Sequence, residues 1–170
     1  MAITKIQSES LNLADTYAFT GTVTGAGESN VPAWTARVGS NQTIVGDTAA
    51  VINYDTEILD TNSAYNTSTK RFTVPTGEGG TYYYFIQFRY TYDQDRELSV
   101  MLYKNGSEEQ KFQTKIHGVN NTGKSLRTSG LIQLSAADYI EARYQLGENP
   151  VSGVITASES LSIWGGFKVR

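Results

Sequence analysis

The longest unbroken alternation in the chain is GTYYYFIQFRYTY, residues 80–92. Side chains of an extended backbone point to opposite faces in turn, so Tyr82, Tyr84, Ile86, Phe88 and Tyr90 share one face. The other face begins with Tyr83 and Phe85, then turns polar through Gln87, Arg89 and Thr91. A strand whose first half is aromatic on both faces needs a cover on each, and the second cover must be another sheet, an arm or a neighbouring subunit. Shorter alternations flank it. Residues 33–38 bring Trp34, Ala36 and Val38 together, and residues 42–45, 49–54 and 57–62 are brief extended runs. Residues 65–75 put Phe72 and Val74 on one face, and residues 98–103 do the same for Leu98, Val100 and Leu102. Asn105-Gly106 is the strongest short hairpin signal, since both residues tolerate positive φ. Residues 111–116, Leu126, and residues 130–134, 138–146 and 160–169 complete the series, with residues 135–139 (SAADY) as a strand entry in preference to a single helical turn. About ten strands, regular turns and no helical period longer than a turn predict an all-β sandwich or barrel.

Residues 1–30 read differently. Leu11, Leu13, Tyr17, Phe19 and Val23 alternate with polar partners, and the segment ends in the turn-rich GAGESN. Five apolar anchors are too few to form a core alone, so this segment is expected to act as a docked arm. The domain proper is then residues 31–170.

Composition narrows the function. A chain of 170 residues is the length of one domain, burying roughly 70% of its unfolded surface without a disulfide or metal. The absence of cysteine excludes thiol catalysis and zinc–thiolate sites. The abundance of Tyr (11) and Gly (16), with only 3 Pro, favours strands joined by turns. A net charge of −3 argues against nucleic acid as partner, whose binders present a basic face. No apolar run is long enough to insert in a membrane. The first 25 or so residues lack the apolar stretch of a signal peptide, so release by lysis or within a particle is expected.

Candidate chemistry is sparse. His117 is the single histidine and is read as solvent-facing, since neither a triad nor a metal cluster has the partners it needs. Asp93, Asp95 and Glu97 alternate around a predicted hairpin tip, offering oxygen ligands that calcium could take. The Gly and later bidentate Glu of a calcium loop are missing, so a solvated acidic tip is the preferred reading and no other cofactor is expected. The Asn-x-Ser/Thr triplets at Asn41, Asn66, Asn105 and Asn120 are read as turns. No convergent carboxylate pair for glycoside hydrolysis can be nominated, so the chain is expected not to be an enzyme.

The order of motifs resembles a known family. Trp34; Tyr65, Phe72 and Pro75; Gly80, Tyr82 and Tyr84; Leu102-Tyr103-Lys104-Asn105-Gly106; Leu134, Asp138 and Tyr139; and Ser162, Gly166 and Phe167 follow one another at characteristic spacing. Together they look like the jelly-roll globular head of the complement q subcomponent and tumour necrosis factor superfamily, in its complement-like branch. Two positions depart from it: Tyr84 stands where the family prefers Phe, and Ala137 where it usually has Gly. The resemblance implies a two-sheet jelly roll that assembles as a homotrimer, the edge of one protomer against the sheet of the next. Trp34, Tyr83, Phe85 and Trp164 are the candidates for packing at that contact or under the arm. The arm itself (Ile3–Ile6, Ser10–Asp15, Tyr17–Val23) is similar to the opening of structural proteins of tailed phages, notably marine and cyanobacterial ones. That likeness implies a virion structural protein made in the host cytoplasm and anchored through Leu11, Leu13, Tyr17, Phe19 and Val23. Its partners would be other virion proteins of capsid or tail, in a decoration, head-fibre or tail-knob role. The alternative is a receptor-binding tail-fibre tip whose loops recognise a host surface glycan.

Overall fold

The computed structural model describes residues 31–92, 95–116, 123–147, 153–158 and 160–169. The arm anchors, His117 and Asp93 lie outside these residues. Thirteen strands are described: β1 Ala33–Arg37, β2 Gln42–Thr43, β3 Ala50–Val51, β4 Thr56–Asp60, β5 Tyr65–Asn66, β6 Arg71–Thr73, β7 Gly80–Tyr92, β8 Arg96–Lys104, β9 Ser107–Ile116, β10 Lys124–Leu134, β11 Tyr139–Leu146, β12 Gly153–Ile155 and β13 Ile163–Lys168. All pairings between them are antiparallel and they form two sheets. The fold is an all-β sandwich.

β7 explains the arrangement. Its length lets β13 pair with its first half and β12 with its end, while β10 runs along its other side from Leu134↔Gly80 to Lys124↔Tyr90. β1 and β4 continue the first sheet beyond β13, and β2 extends it beyond β12. The second sheet runs β5-β6-β11-β8-β9, with β3 also on β11. β9 and β10 are therefore edge strands, each with one neighbour in its own sheet.

The core is the gap between the sheets. Tyr82, Tyr84, Ile86, Phe88 and Tyr90 all turn inward, as the alternation predicts, and meet Phe72, Leu98, Val100, Leu102, Ile140 and Tyr144. Rings long enough to span a sandwich carry their hydroxyls to its margins, where backbone acceptors wait. The Tyr54 hydroxyl donates to the Gln87 carbonyl at 2.8 Å, Tyr65 to the Tyr54 carbonyl at 2.7 Å and Tyr82 to the Glu78 carbonyl at 2.6 Å. A buried hydroxyl left unpaired would cost about 1–3 kcal/mol, so these bonds are what make so many tyrosines tolerable inside. Tyr84, the departure from Phe, donates to Gln110 Oε1 across the opening beside Gly130.

Trp34 and Trp164 are corrections to the expected assembly surface. They are 1% and 0% exposed, deep in the sandwich, Trp34 stacked on Phe72 with ring centroids 3.8 Å apart. Trp164 pairs in register with Ala36 and Ile86, both inward, so its side chain follows them in. Residues 65–75 also differ from a single strand: β5 and β6 form a hairpin across residues 67–70. Lys70 takes φ +61° there, and the Asn66 carboxamide accepts the Ser68 and Thr69 N–H groups at 2.8 and 3.0 Å.

The SAADY stretch turns at Ala136 and Ala137 and enters β11 at Tyr139. Ala137 sits at φ +68°, a left-handed conformation that glycine adopts without penalty. That accounts for the usual Gly at this position. Since Ala137 is exposed, Ala137→Gly relieves strain without opening a cavity. It is expected to raise unfolding free energy by about 0.5 kcal/mol after the entropic cost of glycine, measured by urea denaturation.

Candidate functional site

The closed core leaves two outer faces and, between β9 and β10, an open edge. On the outer face of the first sheet, register places Leu131, Tyr83, Phe167 and Ala33 in one row across β10, β7, β13 and β1. The next row is Ser129, Phe85, Gly165, Thr35 and Leu59, and the third is Arg127, Gln87, Ile163, Arg37 and Thr56. The face is thus apolar at one end and basic or polar at the other. Tyr83 and Phe85 lie here half-buried, as the two-sided aromatic pattern of β7 demands. The Tyr83 and Phe167 rings are 5.4 Å apart, and Phe85 lies close over the Gly165 backbone. Leu131 and Phe167 remain 58% and 47% exposed, and Leu59 and Val169 are exposed beside them. The chain enters at this end: Lys168 N–H donates to the Pro32 carbonyl and Val169 N–H to the Thr81 carbonyl.

The outer face of the second sheet carries an ionic ladder. Glu141 is 1% exposed although its register partners Arg71 and Tyr103 mark it as outward-facing. Arg71 Nε donates to Glu141 Oε2 and Arg143 Nε to Oε1, both at 2.8 Å. The two guanidiniums stack on Tyr139 and Tyr103, 4.1 and 4.3 Å from the ring centroids. Two charge-assisted bonds offset the desolvation of the carboxylate, and the rings hold the arginines in place. Nearby, Asp138 is held below the usual carboxylate range. Its causes are the Asn105 amide first, then the Ser135 N–H, with Lys104 adding to them.

Of the acidic tip, Asp95 and Glu97 lie among the described residues. Asp95 is exposed, and Glu97 accepts a hydrogen bond from Gln113 Nε2 on the neighbouring strand. Sequence reading missed a third feature, the opening between β9 and β10. Phe112 and Thr114 of β9 pair with the inward Val100 and Leu98, so both point into the gap between the sheets. With no further strand there among the described residues, Phe112 stays 46% exposed.

A family model for the C1q domain matches residues 33–169. The chain belongs to the C1q domain family. Solved structures with the same fold include the globular domain of zebrafish complement 1qA protein, at 14% identity, covering 82% of this chain and 98% of that one, with a TM-score of 0.56. Eiger TNF from S. frugiperda matches at 13% identity over 82% of this chain and 92% of that one, TM-score 0.61. Murine APRIL matches at 12% identity over 82% and 99%, TM-score 0.60. No curated protein matches the chain in sequence. The expected jelly roll of the complement and tumour necrosis factor type is therefore the observed one.

The C1q core has a pH consequence. Burial raises the pKa of Tyr54, Tyr65, Tyr82, Tyr84, Tyr90 and Tyr144, with Tyr82 pushed up to about 12. A folded pKa above the unfolded value of about 10 means the stabilisation is complete below pH 10 and lost as pH rises towards 12. Near-ultraviolet titration is expected to show part of the tyrosinate signal appearing only with cooperative alkaline unfolding. A smooth rise centred near pH 10 for all tyrosines would contradict the buried hydroxyl network.

Proposed function

We propose that this C1q-domain protein is a non-enzymatic virion component, a homotrimeric jelly-roll appendage fastened to a tailed-phage particle by residues 1–30. The observation that carries the assembly is the apolar end of the first sheet's outer face, where Leu131, Tyr83, Phe167, Phe85 and Leu59 adjoin. Phe112 makes the β9–β10 edge apolar as well. Face and edge are different surfaces, so an edge-to-face contact is heterologous and must close into a ring or grow into a filament. Ring closure at three copies covers both apolar surfaces in every copy. The particle assignment rests on the likeness of residues 3–23 to phage structural proteins, and Pro32, among the first described residues, lies beside the proposed contact. A decoration or knob role suits a chain with no shaft between arm and head.

Sedimentation of the full chain at micromolar concentration tests the trimer. A stable monomer there would overturn it. Deleting residues 1–30 is expected to leave a soluble trimer that no longer joins particles. A truncated protein that still incorporates would remove the anchoring role.

A further inference from the structure

A groove of about 470 Å³, within the usual range for ligand sites, opens where the β4–β5 loop, the end of β6 and the β10–β11 turn meet. Ser63, Asn66, Thr73 and Thr76 line it beside Pro75 and Ala137, with no charged side chain among the described residues. Asn66 pairs with Arg71 and Thr73 lies two residues beyond it, so both share the outward face of the second sheet. The groove is thus clear of β9, β10 and the first sheet's outer face, the surfaces that the proposed trimer covers.

Its polar groups are unspent. The Asn66 carboxamide oxygen accepts the Ser68 and Thr69 N–H groups, which fixes the amide plane and leaves the amino group as a spare donor. The Ser63, Thr73 and Thr76 hydroxyls bond to no other described residue. Two strained residues also meet here, Ser63 at φ +51° and Ala137 at φ +68°. Side chains in left-handed backbone are costly and gather at ligand sites. Glycine would relieve both positions, so the side chains present there point to a use. We propose that this groove binds an uncharged sugar of a glycan. Sugar hydroxyls suit partners that both donate and accept, and Pro75 and the Ala137 methyl would meet the sugar's C–H groups. A trimer would carry three such grooves, so a repeating glycan would gain from multivalent attachment. The inference goes beyond the virion reading and needs neither the particle nor the trimer.

The test titrates full-length protein by calorimetry with mannotriose, galactotriose and N-acetylchitotriose, and with tri-galacturonic acid as the charged comparison, at low and high salt. At least one neutral sugar is expected to bind about ten-fold or more tightly than the acidic one, with affinity unchanged by salt. Thr73→Val with Thr76→Val keeps the shape and removes two hydroxyls, and should lower that affinity by about ten-fold. Ala137→Gly should lower it by about four-fold while raising the urea midpoint. A purely structural role would raise the midpoint and leave affinity alone. All three residues are exposed, and circular dichroism checks the fold. Failure of all three neutral sugars to bind overturns the proposal. So does an affinity that falls with salt, or one that neither variant changes. Sedimentation of the same samples reads the assembly separately. A monomer that binds sinks only the trimer, and a trimer that does not bind sinks only the groove.

Discussion

Gly166→Ala is expected to unfold the domain or to lower its stability by about 4 kcal/mol or more, a large share of a typical total of 5–15 kcal/mol. A Cβ at this position would lie 2.3 Å from the Tyr83 carbonyl oxygen and 2.5 Å from the Trp34 ring. Neither neighbour can yield cheaply. The carbonyl belongs to β7, which pairs with β13 from Tyr82 to Gln87. The indole is fully buried and stacked on Phe72. One methyl group must therefore part β13 from β7 or expel Trp34, and losing a buried tryptophan's packing alone costs about 3–5 kcal/mol. Thermal denaturation should show Tm falling by roughly 10 °C or more at about 2–4 °C per kcal/mol. Gly147→Ala is the control, since its nearest neighbours would be 3.9 Å from the added atom. Equal stability of the two variants would show that the close approach at Gly166 does not constrain the core.

Gly166 also shows what the sequence made legible. A glycine pair before Phe167 reads as a closing motif, but its reason, a tryptophan from β1 packed against it, depends on register between distant strands. β7 was readable to the residue because thirteen positions of alternation leave one extended reading. Its second aromatic face was readable too, since Tyr83 and Phe85 must be half-covered whichever sheet they join. Two-residue strands such as β2 and β3 carry no period, and β12 (Gly-Val-Ile) is too short to stand out.

Trp34 and Trp164 misled for a different reason. Large aromatics suit interfaces as well as cores, and only register decides between the two: it sets Trp164 beside the inward Ala36 and Ile86, and Trp34 beside Gly166. Glu141 is similar. Alternation puts it on the outer face, yet two arginines from β6 and β11 bury it. The opening beside Phe112 was illegible because its walls are β9 and β10, which belong to different sheets. Local pattern reveals what one strand must hide. It does not reveal which strands will share an opening.

Tyr83→Ser combined with Phe167→Ser is expected to convert the proposed trimer to a folded monomer. The two rings pack on each other on the outer face and take no part in the core between the sheets. Their loss therefore costs the single subunit little. In an edge-to-face ring each subunit would lose two aromatic burials, worth about 1.5–3 kcal/mol apiece. Even half of the smaller total per interface moves dissociation by about ten-fold, and loss at every interface of a closed ring should move it by about a thousand-fold or more. Sedimentation velocity from nanomolar to micromolar concentration would read the shift, with circular dichroism confirming the sandwich. Val45→Ser is the control, since Val45, at 53% exposed, is comparable to Phe167 at 47% but lies off the apolar face. A double variant that stays trimeric would move the contact elsewhere on the sandwich. If both variants fall apart equally, the loss reflects general apolar content and not this row of rings.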